Sequence, residues 1–193
     1  MDLRLRTLPN SEPDSDSMNR LTDWPFPPYS YVTGHFPHPL RGPDGHGCAG
    51  PKEPTSAPTE DTWQDCEMYL WGIDLFNAGF YWEAHEAWEA VWHACNRTGP
   101  LANMLKVLIK FAAAGVKARE NRPEGIRRHT SRAGELLKLL STLNADKVLG
   151  MDLQRLVQDA EKIGNQADSL SLAASQNLSA PILPIRLVPA IES

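Results

Sequence analysis

Residues 81–95 read YWEAHEAWEAVWHAC, a stretch without glycine or proline that sets two histidines, three glutamates and three tryptophans into about four helical turns. With each residue advanced by about 100° and His85 placed at zero, Glu89 falls near 40°, Trp82 near 60°, Trp92 near −20°, Tyr81 near −40° and Trp88 near −60°. Glu86 and His93 border that stripe at about 100° and 80°, and Glu83, at about 160°, is expected to face solvent. If the aromatics mark the core side, His85 and Glu89 lie in the middle of an apolar wall. A carboxylate there costs several kcal/mol unless it is paired, protonated or bound to something. The stretch therefore predicts a helix whose charged residues meet a partner.

Other helices are expected around it. Trp63, Leu70, Ile73 and Phe76 recur at helical spacing, with Trp71 and Leu75 beside them, until Asn77-Ala78-Gly79 offers a turn. The second helix spans 80–95 and is ended by Arg97-Thr98-Gly99-Pro100. A third, over 101–121, presents Leu101, Leu105, Leu108, Ile109, Ala112 and Val116. Pro123 suits the first position of a fourth, which carries Ile126, His129, Ala133, Leu136, Leu137, Leu140 and Leu143 inward. A shorter fifth follows Gly150. Short connections between such helices predict an all-α, compact bundle of about five helices.

Eleven of the 16 prolines precede residue 59, so the first third is not regular helix. Residues 1–22 have the polar composition of a disordered tail. Residues 23–58, rich in Pro, aromatics and His, read as an extended strap packed on a helical domain of 59–170. The segment 171–193 is apolar but proline-broken, and could lie extended on its own domain or on a partner's.

The 193 residues carry a net charge of −5, which gives no general reason to expect nucleic acid or an anionic membrane as partner. The opening MDLRLRTLPNSEPDSD lacks the apolar core of a signal peptide, so a cytoplasmic location is expected. Cys48, Cys66 and Cys95 are too few and scattered for a disulfide framework or thiolate zinc site.

His85-Glu86-x-x-Glu89 places one imidazole and two carboxylates where a zincin helix has H-E-x-x-H, a set able to hold a divalent ion such as zinc. The second His of that motif is absent, and no pair of E-x-x-H elements supports a di-iron bundle. His38, Asp44 and His46 of the strap could complete a mixed metal site with His85 and Glu89 if the strap crosses this helix. Glu86, bordering the stripe, is then the candidate general base for hydrolysis. Trp82, Trp92, Lys110 and His129 are the candidates for binding a small ligand. The competing reading makes the cluster a buried hydrogen-bonded network with His129 or a lysine of the third helix, in a non-catalytic dimeric scaffold. A third reading takes Lys117, Arg119, Arg122, Arg127, Arg128 and Arg132, around the start of the fourth helix, as a phosphate site; a solvated basic face explains them as well. No phosphate loop or nucleophile elbow is present. Gly72, Leu75, Ala84, Trp88 and Val91 are spaced as in a tetratricopeptide unit, but one unit makes no solenoid, and a helical hairpin that uses this packing to form a dimer is the better expectation.

FNAGFYWEAHEAWEAVW (76–92) and LIKFAAAGVKARENRPEGIRR (108–128) resemble the helical family known as domain of unknown function 309, over about Trp71 to Leu143. PPYSYVTG, PHP and DGH resemble the N-terminal extension of its longer members. The resemblance implies an all-α bundle, often a homodimer, with a polar cluster at the His-Glu motif and no established activity. Lys106 and Lys110 depart from the glutamines expected there. Two lysines repel a bare cation and are expected to pair with Glu86 or Glu89, or to favour an anionic ligand.

Overall fold

The computed structural model describes residues 20–41, 44–47, 57–143, 145–174 and 180–191. A 3₁₀ turn, Trp63–Asp65, leads into α1 (Glu67–Asn77), α2 (Tyr81–Ala94), α3 (Gly99–Arg119) and α4 (Pro123–Ser141). A two-stranded hairpin, β1 (Lys147–Val148) and β2 (Met151–Asp152), precedes α5 (Leu153–Asn165) and α6 (Ala167–Ala174). The all-α bundle is as expected, with a sixth helix and the small hairpin added. Successive helices pack pairwise from α1·α2 to α4·α5 across the hairpin, and α6 returns onto α3 and α4.

α3 is the central element. By length and composition it could cross a membrane. Here Leu105, Leu108, Phe111 and Ala112 are fully buried among the other helices, as the core helix of a bundle must be. Pro100, expected to terminate α2, instead lies in the first turn of α3, where the missing N–H costs nothing. Pro123 opens α4 as anticipated. Leu143 lies beyond the end of α4 and is 50 % exposed, not inward.

The hairpin escaped the periodicity reading because each strand has only two residues. Leu149 (φ 51°) and Gly150 (φ 72°) form its left-handed turn, and Val148 pairs with Met151. A Cβ on Gly150 would stand 2.4 Å from the Trp63 ring, so glycine serves both backbone and packing. Asp152 then caps α5 by accepting from the Arg155 N–H at 2.8 Å.

Helix packing corrects the assignment of the core side of α2. The buried residues are Tyr81, Glu83, Ala84, Ala87, Trp88 and Val91. The core face is thus centred about 100° from His85, on the side of Ala84, Trp88 and Val91. Trp82 and Trp92 are only half-buried. Indole, large and amphipathic, misled the wheel; alanine marks where helices approach closely. On α1, a Cβ at Gly72 would lie 2.3 Å from Trp88 Nε1, which donates to the Tyr69 carbonyl at 3.2 Å. Gly72 and Trp88 therefore build the α1–α2 hairpin within one chain.

Both non-helical segments lie on this bundle. Asp74 of α1 accepts from Leu21 N–H (2.9 Å), Thr22 N–H (2.9 Å) and Thr22 Oγ1 (2.8 Å), so residues 21 and 22 of the segment expected as a tail are held on the bundle. Residues 1–19 and 48–56 lie outside the described residues. Over 180–191 the C-terminal segment packs on its own domain. Asn77 exchanges two 2.8 Å bonds with the backbone of Leu187, and the Tyr81 hydroxyl accepts from Ile182 and Leu183 N–H, each at 2.9 Å. Leu183 and Leu187 are buried there.

Candidate functional site

Because the core face of α2 runs through Ala84, Trp88 and Val91, the residues one step around the helix reach the surface. His85 and Glu86 are each 29 % exposed and Glu89 is 41 % exposed. His85 Nδ1 lies 3.4 Å from Glu86 Oε1 and 4.0 Å from Glu89 Oε2. One ligand atom from each of the three residues falls within 4.8 Å of the others. Half-exposed carboxylates keep much of their hydration, so burial does not force a partner on them as the sequence reading required. Among the described residues no bond joins this cluster to His129 or to a lysine of α3, and its contacts run along one helix.

Beside the cluster, α2, α3 and α4 enclose a cavity of about 330 Å³. His85, Glu89 and Trp92 line it from α2, Lys106, Ile109 and Lys110 from α3, and Arg132 and Leu136 from α4. Neither lysine forms the expected pair with Glu86 or Glu89; among the described residues no carboxylate lies within 4.0 Å of either Nζ. Lys106 stands over the Trp92 ring, 5.1 Å from its centroid, and the Arg97 guanidinium lies 5.5 Å from the same ring. His129 of α4 has its pKa pushed down to about 4, chiefly by burial and then by the charges of Lys110, Arg128, Lys117 and His85. At neutral pH it is an uncharged imidazole.

The strap crosses the opposite side of α2 and meets a residue the wheel had assigned to solvent. Glu83 is 4 % exposed. Its Oε1 accepts from the Tyr31 N–H at 2.8 Å and lies 3.3 Å from His46 Nε2, while Oε2 is buried without a protein partner. Burial raises the Glu83 pKa, opposed by the Tyr31 amide and by His46. The other ring nitrogen of His46 faces the Gly47 carbonyl, and its ring meets Tyr29 edge-on at 4.4 Å.

Glu83 and His85, two residues apart, emerge about 200° apart around α2. His46 is thus engaged away from His85 and does not complete the metal set. His38 accepts from the Leu40 N–H through Nδ1 (3.2 Å) and packs edge-on against Trp82 at 5.4 Å. Tyr31 packs on the same indole at 5.4 Å, so Trp82 is a platform for the strap and is not among the cavity's lining residues. Asp44 is exposed. Among the described residues, His85, Glu86 and Glu89 form the group with metal-ligand spacing, and the strap residues do not join it.

Arg119, read from sequence as part of a basic face, is 5 % exposed. It donates to Ser30 Oγ of the strap and to the Ala180 carbonyl of the C-terminal segment (3.2 Å), and lies 5.1 Å over the Tyr81 ring. The remaining basic residues are largely neutralised: Lys117 and Arg122 by Glu120, Arg127 by Glu124 and Asp168, Arg132 by Glu135. Among the described residues Arg128 has no ion pair, and the others belong to a face of mixed charge. The roles of Asp74, Asn77, Glu83 and Arg119 had one faint signal: extended, proline-rich segments carry backbone N–H and C=O groups that must find side-chain partners when they pack.

No curated protein and no solved structure matches the chain. A family model described as Domain of unknown function (DUF309) matches residues 69–129, from within α1 through α2 and α3 into the first turns of α4. That stretch, which contains the His85-Glu86-Glu89 group and its facing lysines, is what the chain has in common with the DUF309 family.

Proposed function

We propose that this domain holds a divalent cation such as zinc on His85, Glu86 and Glu89, at the mouth of the α2–α3–α4 cavity, and that the cavity takes a small molecule on which the site acts by hydrolysis. The observation that carries this reading is the approach of three ligand atoms of suitable chemistry to within 4.8 Å of one another, on side chains open to solvent. An imidazole and carboxylates suit zinc and neighbouring divalent metals, and so few protein ligands leave room for water or substrate. When bound, the ion would supply a Lewis acid and a water of lowered pKa. His85 and Glu89, on successive turns, are the pair that holds it. Glu86, 3.4 Å from His85, either completes the set or accepts a proton from bound water.

The test is bound metal in protein purified without chelator or a histidine tag, measured by mass spectrometry for wild type, His85→Ala and Glu89→Gln. Near-stoichiometric metal lost in both variants is the expected result. Metal-free wild type whose zinc affinity is unaltered by His85→Ala would overturn the reading. The alternative, a non-catalytic homodimeric scaffold, draws on Leu139 and Leu143 near the end of α4, 54 % and 50 % exposed. Sedimentation of wild type beside Leu139→Asp decides it: a dimer that the variant dissociates supports the scaffold, and a monomer removes it.

A further inference from the structure

The wall of the cavity facing the His-Glu group is positively charged without local compensation. Lys106 and Lys110 lie one turn apart on α3 and both line it. Glu89 is the one carboxylate among the lining residues, and its ion-pair partner is His85. Arg132 is committed to Glu135, whereas Lys106, over the face of Trp92, and Lys110 have no ion pair within 4.0 Å among the described residues. The Trp92 indole N–H is a second unused donor, buried with no partner. His129 reports the same field, since Lys110 stands first among the charges that depress its pKa. Around these groups the lining is apolar, through Ile109, Leu136 and the Trp92 ring.

We propose that this wall is a binding site for a small organic phosphate, with Lys110 and Lys106 taking the phosphoryl oxygens and Trp92, Ile109 and Leu136 contacting the organic portion. Lysine ammonium groups, with rotatable donors on long stems, act as point charges for a phosphate, whereas a planar carboxylate is best matched by an arginine fork, and Arg132 is already paired. A volume of about 330 Å³ is at the small end of ligand sites and fits a compact phosphomonoester. The inference deepens the cation reading by naming a substrate class. It rests on that reading only for the reaction; binding needs no metal.

The test is calorimetric titration of the whole chain at pH 7 and low salt, in chelator, with phenyl phosphate, inorganic phosphate and benzoate as probes. Phenyl phosphate is expected to bind one to one, more tightly than either of the others. Lys110→Met is expected to weaken it about ten- to a hundredfold, the size of one lost charge-assisted hydrogen bond, with Lys110→Arg retaining part of the affinity. Thermal melting of each variant verifies that it is folded. No binding by wild type, equal binding by folded Lys110→Met, or benzoate binding as tightly as phenyl phosphate would each overturn the proposal. Phosphate binding without metal uptake sinks the cation reading alone, and metal uptake without phosphate binding sinks this one alone.

Discussion

Replacing Tyr81 by Phe removes one oxygen and leaves two amide donors without an acceptor. The Tyr81 hydroxyl receives the Ile182 and Leu183 N–H groups, both at 2.9 Å, and anchors the C-terminal segment to the start of α2. The ring itself is unaffected by the change: it is 1 % exposed, packs on Phe76 at 5.4 Å and lies under Arg119. A buried donor left unsatisfied costs about 1–3 kcal/mol. Leu183 N–H is buried and bears this in full, whereas Ile182 N–H is only partly buried and regains some hydration. The sum is about 2–4 kcal/mol. Because Asn77 still holds Leu187, the loss should appear mainly as local opening around 182–183. Amide exchange at those two positions should accelerate by about thirty- to several-hundredfold, each 1.4 kcal/mol being tenfold. Exchange at Leu187 should change far less. Wild-type exchange rates at Ile182 and Leu183, with an unaltered melting temperature, would refute the placement of this segment on its own domain.

Three further outcomes are expected. His129 has a folded pKa of about 4 against an ordinary 6.5, so between those values the unfolded chain binds more protons and wild-type stability falls as pH drops from 6.5 towards 4. The unscreened limit is about 3 kcal/mol, and partial exposure reduces it to about 1–2 kcal/mol. Urea melts of wild type and His129→Gln at several pH values check this; a stability difference constant between pH 7 and pH 4.5 contradicts it. Glu83→Ala should free the strap by leaving the Tyr31 amide and the His46 Nε2 unpartnered, at a cost of about 2–4 kcal/mol, visible as rapid proteolysis near residue 40 of a still-helical domain. A strap as resistant as in wild type would count against the buried Glu83 contact. Gly72→Ala gains about 1 kcal/mol of helix propensity but drives a methyl group into Trp88, so the net effect should be destabilising and should disturb the near-ultraviolet signal of tryptophan. A stabilised variant with an unchanged spectrum would show that the α1–α2 packing is looser than described.

How much was legible follows from the range of the forces involved. The sequence by itself determined the first five helices, though not α6, because apolar spacing, Pro123 at the start of α4 and the glycine turn at Gly79 act within a few residues. It also determined the His85-Glu86-Glu89 group, since helical geometry alone brings residues one turn apart together. Only the tertiary structure decided which side of α2 is core. That depended on how closely α1 and α3 approach it, which glycines and alanines such as Gly72, Gly115 and Ala84 set and the tryptophans do not. Glu83 was therefore read as solvated when it is the buried anchor of the strap, and His46 was offered to His85 when it lies against Glu83. The pairing of Lys106 with Trp92 in place of a glutamate, and the neutral state of His129, likewise depend on where α3 and α4 sit relative to α2. Local periodicity fixes what a helix is; which face is dry, and which charge meets which, is settled by neighbours distant in the chain.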